Sequence, residues 1–160
     1  MTANAAANVL CILDGTPASD PALVAAIELA DDRHLGLIVA TCRPPARMQC
    51  SRSFPLSKWD ALMRDVCAAD LQRAAEVVAS TSAQATLIVL DGCDARTIAR
   101  SADARDCAAI VVIARRGRWT SWPRALRRRA NAEVIAVDPR QMPDASGANQ
   151  GRVPDRAFRP

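Results

Sequence analysis

Ala108-Ala-Ile-Val-Val-Ile-Ala-Arg-Arg-Gly-Arg118, continued through Trp119-Thr-Ser-Trp-Pro-Arg-Ala-Leu-Arg-Arg-Arg129 to Glu133-Val-Ile-Ala-Val137, decides the fold. Ile110 to Ile113 is an unbroken apolar, β-branched run, the pattern of a parallel strand covered on both faces. A glycine turn, a short basic stretch of helical spacing and a second apolar run, Val134 to Val137, follow it. Two such strands joined through a helix form a βαβ unit, which crosses over right-handed. Ligands of open α/β sheets bind outside the carboxyl ends of the strands. Arg116-Gly117-Arg118 therefore falls where chemistry is expected.

Working outward, the same alternation fills the chain. Asn8 to Leu13 reads as the first strand and stops at Asp14-Gly15-Thr16-Pro17, a turn signal. Asp20-Pro21 opens a helix, with Asp20 as the expected N-cap and Pro21 in the first turn. Leu23, Ala26, Ile27 and Ala30 form its inward stripe. Leu37 to Thr41 is the second strand. Arg43 to Pro55, with three prolines and no periodicity, is an irregular loop. A long helix is expected from Leu56 to about Ser80, with Trp59, Leu62, Met63, Val66, Leu71, Ala74 and Val78 on its apolar side. Thr86 to Leu90 is the third strand. Asp94 caps a helix whose inner positions are Ile98, Ala99 and Ala102. The order β-α-β-α-β-α-β-α-β predicts a doubly wound, open, parallel five-stranded α/β sheet, flavodoxin-like or Rossmann-like, with helices on both faces. Residues 8–138 form this expected domain, and 139–160, rich in glycine, proline and charge, read as a disordered tail.

The 160 residues suffice for one core, and half of them are hydrophobic. No apolar segment is long enough to span a membrane and no secretory leader is visible, so a cytoplasmic setting is expected. Six cysteines, Cys11, Cys42, Cys50, Cys67, Cys93 and Cys107, follow no metal-ligand or CxxC spacing. They read as reduced, structural side chains that behave as small hydrophobes, and no metal site is expected.

Several chemistries drop out. There is no G-x-x-x-x-G-K-[ST] loop, no G-x-G-x-x-G fingerprint after the first strand and no G-x-S-x-G elbow. The one histidine, His34, falls at the far end of the first helix, opposite the carboxyl ends of the strands. The one lysine, Lys58, falls in the long helix, which disfavours a phosphorylation receiver. The net charge of +4 comes largely from arginine. Arg124, Arg127 and Arg128 share one face of the short helix, opposite Trp122, Ala125, Leu126 and Ala130. A solvated basic face and a phosphate-contact surface both fit that pattern. No aromatic residue interleaves the arginines, so stacking on bases is not suggested.

Three segments carry a family resemblance. Val9-Leu-Cys-Ile-Leu-Asp-Gly-Thr16 resembles the Ile/Val-Asp-Gly-Ser opening of the universal stress proteins. Asp106 to Arg118 is similar to their Ala-Asp-Leu-Ile-Val-Val-Gly-x-Arg-Gly segment, and Ser121 to Val137 resembles their closing helix and strand. The resemblance spans Asn8 to Asp138 in order and spacing. It implies a regulatory or interaction role in stress, no catalytic residue, and a homodimer paired through the last strand. Many such proteins bind ATP through Gly-x-x-Gly, about nine further residues and Gly-Ser or Gly-Thr, whose backbone amides and following helix N-terminus face the phosphates. By resemblance, Asp14, Gly117 and Ser121 are the nucleotide-binding positions here. Only Arg118, Trp119 and Thr120 separate Gly117 from Ser121, and Trp119 and Trp122 occupy the region of the cradle. The expectation is a non-catalytic member that has lost nucleotide binding and needs no cofactor. The alternatives are an ATP-binding member whose rebuilt loop uses Arg115, Arg116 and Arg118 as anion-holding side chains, and a nucleic-acid or anion binder acting through residues 124–129.

Overall fold

A computed structural model describes residues 7–44, 56–114 and 122–139. Five strands, all parallel, form one sheet: β1 (Asn8–Leu13), β2 (Gly36–Arg43), β3 (Ala85–Asp91), β4 (Cys107–Ile113) and β5 (Glu133–Val137). Their order across the sheet is β3-β2-β1-β4-β5, so the chain steps outward from β1 on one side and then resumes on the other. Four helices connect them: α1 (Asp20–Asp32), α2 (Leu56–Ala79), α3 (Ala95–Asp103) and α4 (Trp122–Arg127). This is the doubly wound α/β architecture that the alternation of apolar runs predicts.

The two-residue period of the strands sorts their side chains into two cores. Val9, Cys11, Leu13, Leu37, Val39, Val111 and Ile113 point to the face covered by α1 and α2. Leu10, Ile12, Ile38, Ala40, Ile110 and Val112 point to the face covered by α3 and α4. Leu126 is fully buried in the second core and anchors the six-residue α4 there. Central strands β1 and β4 are thus apolar at almost every position because both faces are covered. Strand β3 is an edge, and its Leu87 and Val89 remain exposed.

Three local expectations need correction. The N-cap of α1 is Ser19, not Asp20. A 3-10 turn, Pro17–Ser19, precedes the helix, and the carbonyl of Thr16 accepts from both the Ser19 amide and its hydroxyl. Asp20 becomes the first helical residue, and its carboxylate faces Arg73 of α2 at 3.3 Å. The inward line of α2 holds at Trp59, Ala74 and Val78 as expected but differs in its middle. Trp59, Cys67, Asp70, Ala74 and Val78 are buried, whereas Leu62 and Val66 are exposed. The spacing 59-63-67-70-74-78 follows the face toward the sheet, and 62 and 66 fall to one side of it. Strands β2 and β3 each run past their expected ends, to Arg43 and Asp91, where the two terminal side chains pair (Arg43 Nε to Asp91 Oδ1, 2.9 Å). Asp94 caps α3 as expected: its Oδ1 accepts from the amides of Arg96 and Thr97, and its Oδ2 from the Thr97 hydroxyl. Those donors hold its carboxyl below the ordinary carboxylate range.

His34 sits at the amino-terminal end of the sheet, as the sequence places it, and is exposed. Its φ of 53° is left-handed, and the following Leu35 amide reaches back to the Ala30 carbonyl at 2.8 Å. This is the glycine position of a Schellman-type helix end. The side chain at this position is strained by its backbone and contributes no buried contact. His34→Gly is therefore expected to raise stability by about 0.5–1 kcal/mol, after allowing for glycine's greater unfolded-state entropy. Urea unfolding of the two proteins measures it; a lower midpoint for the glycine variant would contradict this reading of the turn.

Candidate functional site

The reversal of strand order lies between β1 and β4. Adjacent loops leave the sheet in opposite directions there, which opens a crevice at the strands' carboxyl ends. A cavity of about 320 Å³ occupies it. The ends of β1 and β2 form its base through Ile12, Leu13, Thr41 and Cys42, with Ile113 of β4 beside them. Helix α2 forms one wall through Met63, Val66, Cys67 and Asp70, and Trp122 at the start of α4 reaches the opposite rim. The lining is mostly apolar with a few polar groups, the usual make-up of a small-molecule site.

Asp14 is the sequence-expected site residue that this crevice contains. Its Oδ1 accepts from the Thr16 amide at 3.0 Å and the Thr16 hydroxyl at 2.7 Å, an Asx-type turn that fixes the carboxylate at the end of β1. Gly15 follows with φ +81°, and a Cβ there would lie 3.2 Å from Asp70 Oδ2. Glycine is needed at this position both for its dihedral and for the close approach of α2. Gly117, Ser121, Arg116 and Arg118 lie outside the described residues, as does the irregular segment 45–55.

The buried charge in the wall is Asp70, which the sequence reading did not single out. It is 5 % exposed. Its Oδ1 lies 3.5 Å from Arg73 Nη1, and its Oδ2 accepts from the Thr41 hydroxyl at 3.4 Å. Arg73 also donates to the Thr16 carbonyl at 3.1 Å and to Asp20 Oδ1 at 3.3 Å. One guanidinium thus ties α2 to the loop carrying Asp14. A charged residue on the inward spacing of α2 is the signal that could have exposed Asp70. An apolar stripe counts hydrophobic residues alone and so passes over a carboxylate on the same line.

The cysteine reading also changes. Cys11 is a core side chain as expected, and burial pushes its thiol up to about 12. Cys107 is likewise raised, to about 11. But Cys42, Cys67 and Cys93, far apart in sequence, converge on the cavity. The neighbouring Cys42 and Cys93 thiols act on each other, which raises the first and lowers the second. The Cys93 carbonyl accepts from Trp122 Nε1 at 3.1 Å, which fixes the tryptophan at the rim. Spacing rules for ligands and CxxC motifs cannot detect thiols brought together by strand order.

Arg124, Arg127, Arg128 and Arg129 are exposed around α4. Arg127 is nevertheless used internally, its Nε donating to the Val134 carbonyl at 3.3 Å.

Fold and crevice together define an open α/β protein of the kind that takes a ligand at its strand-order switch. The chain belongs to the universal stress protein family, whose model matches residues 6–138. Among solved structures, it is similar to a universal stress protein from Lactobacillus plantarum (18 % identity, TM-score 0.70, 84 % of this chain and 99 % of that one). A Burkholderia pseudomallei family member gives 21 % identity and a TM-score of 0.68 over 84 % and 98 % of the two chains. A universal stress protein solved in complex with cAMP gives 20 % identity and 0.64 over 84 % and 98 %. An Archaeoglobus fulgidus protein in complex with dAMP gives 20 % and 0.51 over 82 % and 98 %. No curated protein matches the chain.

The Asp70–Arg73 pair makes an asymmetric prediction. Arg73→Ala strands a buried carboxylate with one long hydroxyl contact, and a loss of about 3 kcal/mol is expected. Asp70→Asn leaves Arg73 with Thr16 and Asp20, and a loss of about 1 kcal/mol is expected. Adding Asp70→Asn to Arg73→Ala should restore part of the larger loss. Urea unfolding of the three variants gives the comparison; equal losses for the two single variants would remove the pair from its structural role.

Proposed function

We propose that this chain is a non-catalytic regulatory domain of the stress response whose cavity takes the nucleoside end of an adenine nucleotide. The carrying observation is the cavity itself, at the β1–β4 switch, with Asp14 fixed at its edge and a mostly apolar lining. A base packs against apolar side chains such as Ile12, Leu13 and Met63, while a ribose hydroxyl offers a donor to a carboxylate. The cAMP and dAMP complexes of its structural relatives support an adenine nucleotide as the ligand class. The short spacing from Gly117 to Ser121 speaks against a full phosphate cradle. Recognition in this reading rests on the nucleoside and not on the phosphate chain. It therefore departs from the sequence-based expectation of complete loss.

The family resemblance and the position of β5 at the sheet edge support a homodimer paired through Val134 to Val137. A cytoplasmic location accords with the family; among the described residues no helix is long and apolar enough to cross a membrane. The use of Arg127 as a tie to β5 leaves the basic surface without an observation that favours nucleic acid.

Calorimetric titration of adenosine, AMP, cAMP and ATP tests the ligand reading. Binding should be seen for all four, with AMP and ATP within about threefold of each other and Asp14→Ala weakening each by about tenfold, near 1.4 kcal/mol. ATP binding far more tightly than AMP would restore a working phosphate loop. No binding of any of the four would overturn the proposal.

A further inference from the structure

The three thiols at the cavity are not used by the nucleoside reading, and two of them, Cys42 and Cys93, stand where the paired strands β2 and β3 end. Cys42 lies near the end of β2, in register with Leu90 of β3. Cys93 lies two residues beyond β3, immediately before the capping residue of α3. The Gly92 amide donates to the Arg43 carbonyl at 3.0 Å, and the Arg43 side chain pairs with Asp91. These bonds hold the end of β2 and the turn after β3 together next to Cys42 and Cys93. Both cysteines are only partly buried, in contrast to Cys11, and both line the open cavity. Among the described residues no three histidine, cysteine or carboxylate side chains are arranged to hold a metal ion.

We propose that Cys42 and Cys93 are a redox-modification site: a hydroperoxide converts the adjacent thiols into a reversible intramolecular disulfide at the cavity rim.

Cys93 is the attacking sulfur. Cys93 stands immediately before the N-cap of α3, where the helix amino terminus favours a thiolate, and the neighbouring Cys42 thiol lowers it further. The Cys93 thiolate attacks one peroxide oxygen, the O–O bond breaks, and the leaving alkoxide or hydroxide takes a proton from solvent. Cys93 becomes a sulfenic acid. The Cys42 sulfur then attacks the Cys93 sulfur, the S–O bond breaks, and the departing hydroxide takes the Cys42 proton and leaves as water. Two thiols lose two electrons, and the peroxide gains them. A dithiol reductant reverses the bond by exchange. Because the Cys93 carbonyl holds Trp122, the bridge fixes a strand end and the aromatic rim to one another. Oxidation at this position reports directly on the cavity wall.

The full-length reduced protein, exposed to hydrogen peroxide and then blocked with N-ethylmaleimide, is digested without reduction and mapped by mass spectrometry. The expected result is a Cys42–Cys93 linked peptide as the major bridged species, in a monomer-length chain, and lost on dithiothreitol treatment. Cys67→Ser keeps the bridge. Cys42→Ser loses it and leaves a sulfenic acid on Cys93 that dimedone traps. A bridge to Cys67 or Cys50, a bridge between chains, or Cys93 driven to the sulfinic acid without any bridge in the unsubstituted protein would each overturn the proposal. So would the absence of oxidation at either residue.

Discussion

The return of the chain to the opposite side of β1 is the constraint from which the molecule follows. After building β2 and β3 outward, the backbone crosses back through α3 and starts β4 against the other edge of β1. Right-handed crossovers then place α1 and α2 on one face, and α3 and α4 on the other. Strands β1 and β4 must be apolar on both sides. Their carboxyl ends must diverge into loops running opposite ways. The crevice between those loops is a consequence of the topology and does not depend on any single loop sequence.

What shapes the crevice is a polar tie in an otherwise apolar wall. Arg73 joins Asp70, Asp20 and the Thr16 carbonyl, so one side chain on α2 sets the distance from that helix to the turn after β1. Gly15 permits the approach because no Cβ stands between the turn and Asp70. Asp14, fixed by its own bonds to Thr16, is positioned by the same arrangement. A buried ion pair of this type gives position more dependably than it gives net stability, since desolvation opposes its attraction. Across the cavity, Trp122 and Cys93 form a second tie through a single hydrogen bond. The cavity is therefore held from both sides by contacts between elements distant in sequence.

The architecture was legible because burial on two faces writes itself into the strands as continuous apolar runs such as Ile110 to Ile113. The caps were partly legible. Asp94 has the local chemistry of an N-cap and acts as one, whereas the Pro17–Ser19 turn moved the start of α1 off Asp20. A helix packed by a sheet on one side and open on the other admits two apolar stripes. On α2 Trp59, Ala74 and Val78 were legible as inward, whereas Leu62 and Val66 are exposed, and Asp70 carries no apolar signal although it lies on the inward line. The position of Asp14 after β1 follows from the end of the first apolar run, and the cavity opens beside it. The meeting of Cys42, Cys67 and Cys93 was not legible, because it arises from the pairing of β2 with β3 and the seating of α2, which no local spacing encodes.

The most direct test of the account is an amide NMR titration of the full chain with adenosine. Binding at the β1–β4 switch is expected to shift the amides of Asp14, Gly15, Thr41, Cys42 and Cys93 together, and to leave those of His34 and Asp106, at the opposite end of the sheet, unmoved. Shifts confined to the basic surface around Arg124 and Arg128, or no shift at saturating adenosine, would contradict it.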